Sequence, residues 1–338
     1  FPISEFGKII FIGFSLKNQH LLFSLVDSNL KCASVDLKFD LNEMGVIDNF
    51  NLDGHRIIES VCFNSCSNYI PNFNSFSVPE SGHHLISACS YIDNSFRLFD
   101  MENGKIIQIL EYHNEKVTCI DADYLIAPDE DYHVVTGSQD ASICLWSYSS
   151  KKNLISRIKS TENPLKLSSM CFMYGHTDAI SFINIKARFG LILSCSSQGH
   201  VCLHSLNGTL LSFFSLIQNQ SLKIINLRLT YDASIISMCS GCSQSHLDIL
   251  QHNGSPILQK KIPQELILMA LDLHGKYCGV AGGDKLTVFN STNLEILCTY
   301  SKKMHIISAI KFINVYNIIL VGFESGELSI LKSNGWIN

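Results

Sequence analysis

The 338 residues are 46% hydrophobic and 16% charged, enough apolar material for a large core and not the composition of a disordered chain. A net charge of -5, with Lys and Arg scattered, leaves no basic stripe for a phosphate backbone or an anionic membrane, so neither nucleic acid nor direct membrane insertion is expected. No apolar run reaches the roughly eighteen residues of a membrane-spanning helix, no signal-peptide pattern opens the chain, and thirteen cysteines lie in strand-like runs, which together predict a reducing, cytoplasmic setting.

Strand-like runs recur with a period of roughly forty residues, the spacing of β-propeller blades. The first unit begins near Lys8, with a turn signal at Asp27. The second opens with Asp53-Gly54-His55 and continues through Leu85 to Cys89 and Asp93 to Asp100, which makes Asn64 to His83 the connection between its first two strands. The third is the clearest: His113, then Lys116 to Ile120, then Val134-Val135-Thr136-Gly137-Ser138-Gln139-Asp140, then Ala141 to Trp146. The fourth runs from Tyr174-Gly175-His176-Thr177-Asp178 to Ser205, with Gln198 at the turn position and His204 at the Trp position. Weaker units begin near Lys223, Glu265 and Met304, with turn signals at Gly241, Gly282-Gly283-Asp284 and Ser325-Gly326. The reading is an all-β, seven-bladed propeller filling residues 1–338 as one domain. Its last unit shows no outer strand beyond Leu331 to Ile337, so Pro2 to Phe6 are expected to supply that strand and close the ring. Phe1 stands where an initiator Met would, and the chain reads as part of a larger protein.

His113, Thr136, Asp140 and Trp146 invite a catalytic reading, because a His, a hydroxyl and a carboxylate can form a nucleophilic triad. The same residue types recur in the next unit as His176 and Ser194, whereas an active site is normally singular. A buried relay from the turn Asp through the His and the hydroxyl to the Trp N–H accounts for the recurrence, since buried polar atoms need partners. No catalytic residue is assigned and no cofactor is expected. Cys239-Ser240-Gly241-Cys242 followed by His246 has metal-ligand spacing but lacks a fourth ligand, and Gly241 reads as a turn residue flanked by incidental thiols. No metal is assigned.

The stretch from Ile86 to Leu211 resembles the carboxy-terminal WD-repeat region of BEACH-domain proteins, the group that includes neurobeachin and the lysosomal trafficking regulator. The resemblance is carried by Tyr91-Ile92-Asp93-Asn94-Ser95-Phe96-Arg97-Leu98, by His113 to Cys119, by Val135 to Asp140 and by Tyr174 to Asp178. It covers three units of seven, and Ile92 stands where the family tends to have Trp. The resemblance implies a WD-repeat propeller in a large cytoplasmic scaffold, peripheral to membranes through the rest of the protein, that works in vesicle trafficking, lysosome-related organelles or autophagy. It also implies a BEACH domain upstream as a partner in the same chain, with other proteins or peptides as ligands. A free-standing WD adaptor, such as a ubiquitin-ligase substrate receptor, is the alternative, and a propeller enzyme a third.

Candidate partner-binding residues flank the turns of the narrower propeller face: Tyr91, Asn114, Gln139, Thr177 and Ser197. On the opposite face, three long connections of two adjacent units are expected to project together: Asn64 to His83, Asp123 to His133, and Tyr148 to Ser168.

Overall fold

The computed structural model describes residues 8–15, 20–26, 30–36, 56–58, 76–77, 84–88, 91–100, 106–124, 132–148, 167–216, 223–241, 244–313 and 318–332. Among them seven antiparallel sheets follow one another along the chain, six of four strands and the last of three, which is the succession of propeller blades. The chain divides into two compact units. One comprises residues 1–14, 18–64 and 217–338, the other residues 15–17 and 65–216.

The second unit holds three sheets. The first is β5 (Phe76–Ser77), β6 (His84–Ser87), β7 (Ser95–Asp100) and β8 (Ile106–Glu111). The next is β9 (Val117–Tyr124), β10 (Tyr132–Ser138), β11 (Ile143–Tyr148) and β12 (Ser168–Met173). The last is β13 (Ile180–Lys186), β14 (Leu191–Ser196), β15 (His200–Ser205) and β16 (Leu210–Ser215). β10 is buried along its whole length, so its alternate side chains serve two layers. Val134 joins Ile86, Phe96, Leu98 and Trp146 on one side, and Val135 joins Ile143, Ile180, Ile183 and Ile192 on the other. Each large side chain buried in this way contributes about 1.5–3 kcal/mol.

Polar groups tie the middle sheet to the third. β13 is the edge strand of its sheet; its Ile185 N–H donates to Asp121 Oδ2 (3.0 Å), and the Ala187 N–H just beyond it to Asp123 Oδ2 (2.9 Å), both on β9. Asn184 Nδ2 also donates to Asp121 Oδ2 (2.6 Å). Burial pushes the Asp123 carboxyl up to about 6, against the pull of Lys186 and the Ala187 N–H.

The other unit holds four sheets. They are β1 (Lys8–Ser15), β2 (His20–Val26), β3 (Leu30–Asp36) and β4 (Arg56–Ile58); β17 (Lys223–Leu229), β18 (Ile235–Ser240), β19 (Ser245–Leu250) and β20 (Pro256–Ile262); β21 (Leu268–Leu271), β22 (Tyr277–Gly282), β23 (Lys285–Asn290) and β24 (Ile296–Ser301); and β25 (Ile307–Ile313), β26 (Ile318–Phe323) and β27 (Leu328–Lys332). Ile236, Met238, Leu247 and Ile249 pack against Met269, Cys278, Val280 and Phe289 between the middle two. The last sheet meets the first at Gly322, where a Cβ would lie 2.8 Å from Ile9 Cγ2, and Lys8 pairs with Glu324 at the same seam. Pro2 to Phe6, expected to complete the last sheet, lie outside the described residues.

One placement is corrected. Arg56–Ile58 pairs with β3 as the outer strand of the first sheet, and Phe76–Ser77 pairs with β6 as the first strand of the second. The long Asn- and Ser-rich stretch therefore lies mostly ahead of β5, not between β5 and β6. An apolar run establishes that a strand exists, but its neighbours decide which sheet it joins. The connections after β9 and after β11 do share one end of their sheet, as expected from strand alternation.

Gly137 shows how tightly adjacent sheets meet. A Cβ there would sit 2.6 Å from Ile180 Cγ2 and 2.8 Å from Cys119 Sγ. Gly190, with φ of 67°, has nothing within 4 Å of such a Cβ. Gly137→Ala should therefore lower stability by about 1–3 kcal/mol through overpacking, and Gly190→Ala by about 1 kcal/mol through backbone strain alone. Thermal melts of the two variants check the ordering.

Candidate functional site

In the middle sheet of the second unit, the turn between β10 and β11 carries Asp140, Ala141 and Ser142. Ala141 adopts a left-handed φ of 64°, and the Asp140 carboxylate folds the turn by accepting from Ser142 N (2.9 Å) and Ser142 Oγ (2.5 Å). Its second oxygen accepts from Asn114 N (2.8 Å), which pins the connection between β8 and β9. His113, in that connection, places Nδ1 2.9 Å from Ser142 Oγ and Nε2 2.8 Å from Thr136 Oγ1. Trp146 Nε1 donates to the same Thr136 oxygen at 3.0 Å.

Donors and acceptors can be satisfied along this chain in one direction. Ser142 donates its only proton to the carboxylate, so its oxygen accepts from His113 Nδ1–H. His113 Nε2 is then an acceptor for the Thr136 hydroxyl, which in turn accepts from the Trp146 N–H. This assignment needs a neutral imidazole. Burial lowers the His113 pKa below its usual value, only partly offset by Asp140 nearby. Desolvation would raise Asp140, but the bonds from Ser142 and Asn114, with His113 close by, hold its carboxyl below the ordinary range. The pair is neutral His and ionised Asp at pH 7, the states the chain of bonds requires.

All four residues expected in the relay are joined, and Ser142 is the link that sequence reasoning missed. Its signal was the spacing in Asp140-Ala141-Ser142, which recurs in Asp93-Asn94-Ser95, where Asn94 is again left-handed and Asp93 accepts from Ser95 Oγ at 2.5 Å. Thr136 is fully buried and His113 nearly so. A hydroxyl closed from solvent and already bonded to an indole N–H is not placed to attack a substrate.

Neighbouring sheets keep the position and change the partner. Ser194 faces Cys202 as Thr136 faces Cys144, and its Oγ lies 2.8 Å from His176 Nε2. His204, at the Trp position, places Nε2 3.1 Å from the Tyr174 carbonyl oxygen. Burial, with His204 and His200 nearby, drops the His176 pKa to about 4, and its buried Nδ1 finds no partner among the described residues. In the preceding sheet Ser87 holds the same register, opposite Arg97, and its Oγ lies 3.0 Å from the Tyr91 hydroxyl.

Tyr91 is therefore a correction. Expected at the surface, it is 4% exposed, with its ring 4.0 Å beneath the Arg97 guanidinium. A residue just before an Asp-x-Ser turn can point inward, and here its hydroxyl takes the role that histidine plays in the next two sheets. Asn114, Gln139, Thr177 and Ser197 are exposed. Their surroundings are rigid: Gln139 N donates to Lys116 O (2.9 Å), Ser197 N to Ala179 O (2.8 Å), and the Thr177 hydroxyl to Asp178 (2.8 Å). All four lie at the end of their sheets where each first strand begins and each second hairpin turns. Ile92 and Tyr174, not among the candidate binding residues, are 65% and 70% exposed beside those turns.

The Cys239 thiol is buried in β18, and burial with Asp248 nearby pushes it up to about 12. Cys242 lies outside the described residues, and no group of three or more metal-capable side chains occurs among those described. No described helix is long and apolar enough to cross a membrane.

Successive four-stranded sheets, one of them clamped by a Trp–Thr–His–Ser–Asp relay, define a WD-type β-propeller domain. The chain belongs to the neurobeachin beta propeller domain family, whose model matches residues 51–334. It is 24% identical over 277 residues to a putative neurobeachin homolog of Caenorhabditis briggsae, covering 80% of this chain and 10% of that protein. It is similar at 20% over 254 residues to BEACH domain-containing protein B of Arabidopsis thaliana, covering 72% and 9%. BEACH domain-containing protein lvsE of Dictyostelium discoideum matches at 24% over 272 residues, covering 76% and 12%. The chain thus spans about a tenth of the length of these relatives.

Thr136→Val should cost about 2–3 kcal/mol, because it leaves the Trp146 N–H and one His113 nitrogen buried without partners. Ser194→Ala should cost less, since it frees one histidine nitrogen and no indole. Chemical denaturation of both variants checks this order.

Proposed function

We propose that the chain is a non-catalytic platform for binding other polypeptides, and that its partners dock on the sheet ends marked by Asn114, Gln139, Thr177 and Ser197. The observation that carries this reading is the pairing of exposed side chains with a fixed backbone. Turns bonded by Asp140, Lys116 and Ala179 hold these side chains in place before a partner arrives, which lowers the ordering cost of association. Ile92 and Tyr174 offer the large apolar anchors on which interface energies usually depend.

Relatives named for neurobeachin and for BEACH domains support placing this platform within a BEACH-type protein in membrane trafficking. In that setting a BEACH domain upstream in the same protein is one partner, and the location is cytoplasmic and peripheral to membranes. The full relay, in which His113 is neutral and enclosed, favours a scaffold over a propeller enzyme at this position.

The test is quantitative affinity capture from cell extract with the chain as bait, alongside a variant combining Ile92→Ser, Asn114→Ala, Gln139→Ala and Tyr174→Ser. The expected result is loss of a defined set of proteins at unchanged melting temperature. Retention of every captured protein by the folded variant would overturn the assignment of this surface.

A further inference from the structure

Tyr112 and Tyr174 lie at the two ends of a short stack of rings beside the docking turns. Tyr112 meets the relay's Trp146 edge to face, with centroids 5.4 Å apart and planes at 77°. It lies parallel to Phe172 (4.9 Å, 13°), and Phe172 lies parallel to Tyr174 (6.3 Å, 17°). The two outer residues are 51% and 70% exposed, and Leu210, 44% exposed, lies beside Gly175. Since Phe172 covers one side of the Tyr174 ring, the exposure of that residue belongs largely to its other face.

The charge around this stack has one sign. Glu111 and Glu115 flank Tyr112 in the chain, and Asp178 follows Tyr174. Both glutamates are exposed, and their carboxylates have no partner among the described residues. Asp178 accepts from the Thr177 hydroxyl and lies 3.7 Å from His200 Nδ1. Against these, Lys116 is the only Lys or Arg in residues 106–124, 132–148 and 167–185. Arg97, in the preceding sheet, is matched by Asp93.

A fixed tyrosine face with carboxylates around it suits one side chain best. A guanidinium is planar, permanently charged and weakly hydrated, so it stacks on tyrosine while its edge serves carboxylates. The chain makes this contact once for itself: the Arg97 guanidinium lies 4.0 Å over the Tyr91 ring, and its Nη2 donates to Asp93 Oδ2 at 3.1 Å. No cation covers Tyr112 or Tyr174 in that way among the described residues. A purely apolar partner would leave the carboxylates unused, and an acidic one would be repelled by them. We propose, resting on the docking surface above, that what docks there is a peptide segment carrying an arginine among apolar residues. Its guanidinium stacks on the open face of Tyr174, its apolar neighbours pack on Tyr112 and Leu210, and a second basic residue faces Glu111 and Glu115.

The experiment is selection of a phage-displayed library of random peptides about twelve residues long on the purified chain, followed by affinity measurements on the most enriched peptide. The expected consensus holds Arg beside an aliphatic or aromatic residue and excludes Asp and Glu. Replacing that Arg by Gln in the peptide, or Tyr174→Ala in the protein, should each weaken binding about threefold to thirtyfold, and the two together little more than either alone. Glu111→Lys/Glu115→Lys, at exposed positions, should weaken it about tenfold at unchanged melting temperature, and a peptide whose second basic residue is changed to Glu should regain the loss. A consensus without Arg, or binding indifferent to the charge reversal, would overturn the arginine while leaving the docking surface in place, provided the variant Ile92→Ser/Asn114→Ala/Gln139→Ala/Tyr174→Ser releases the peptide. Enriched peptides that this variant binds as well as the native chain does, or no enrichment at all, would overturn the surface and the proposal with it. If a protein variant does not fold, the consensus and the changes made in the peptide decide.

Discussion

A single buried hydroxyl organises the best-defined part of this molecule. Thr136 Oγ1 sits where an indole N–H and an imidazole nitrogen converge, in an interior where either of them left alone would cost more than a made bond returns. Its position follows from β10, whose alternation turns Val134 and Thr136 toward one layer and Val135 and Gly137 toward the other. From that hydroxyl the bonds run outward through His113 and Ser142 to Asp140, and Asp140 fixes both its own turn and the connection from the preceding sheet. The relay is thus a clamp between sheets, and it hands rigidity to the surface residues next to it.

The neighbouring sheets show that the clamp is a position before it is a residue set. Ser87 and Ser194 occupy the register of Thr136, yet one meets a tyrosine hydroxyl and the other a histidine with no tryptophan behind it. Each solution satisfies the hydroxyl. They differ in what is left over, and the unpartnered Nδ1 of His176 marks the least complete of them. A repeat can drift in this way because each sheet needs its own buried donors paired and does not need the same pairing as its neighbour.

Much of this was legible in the sequence. The forty-residue period predicted seven sheets, and seven occur among the described residues, because period-two alternation and Asp-x-Ser or Gly turns are local signals. His113, Thr136, Asp140 and Trp146 could be grouped because the same types recur at the same spacing. What could not be read were facts of pairing. Whether Arg56–Ile58 closed the first sheet or opened the second depended on β3. Tyr91 looked like a turn residue, and its contacts with the Ser87 hydroxyl and the Arg97 guanidinium became visible only in the fold. Ser142 was visible but took its meaning from a direction of donation that needs the His113 ring in place.

The proposed docking on turns at one end of the sheets depends on the clamp holding in the native state, and the proton at its centre reports on that directly. Trp146 Nε1–H can be assigned against the one other tryptophan, Trp336, by comparison with Trp146→Phe, and its solvent exchange followed by NMR. The account predicts exchange at least about ten-thousand-fold slower than in free indole, governed by unfolding of the whole sheet. Exchange within about tenfold of the free rate would show that the relay opens on its own, and would contradict its role as the clamp.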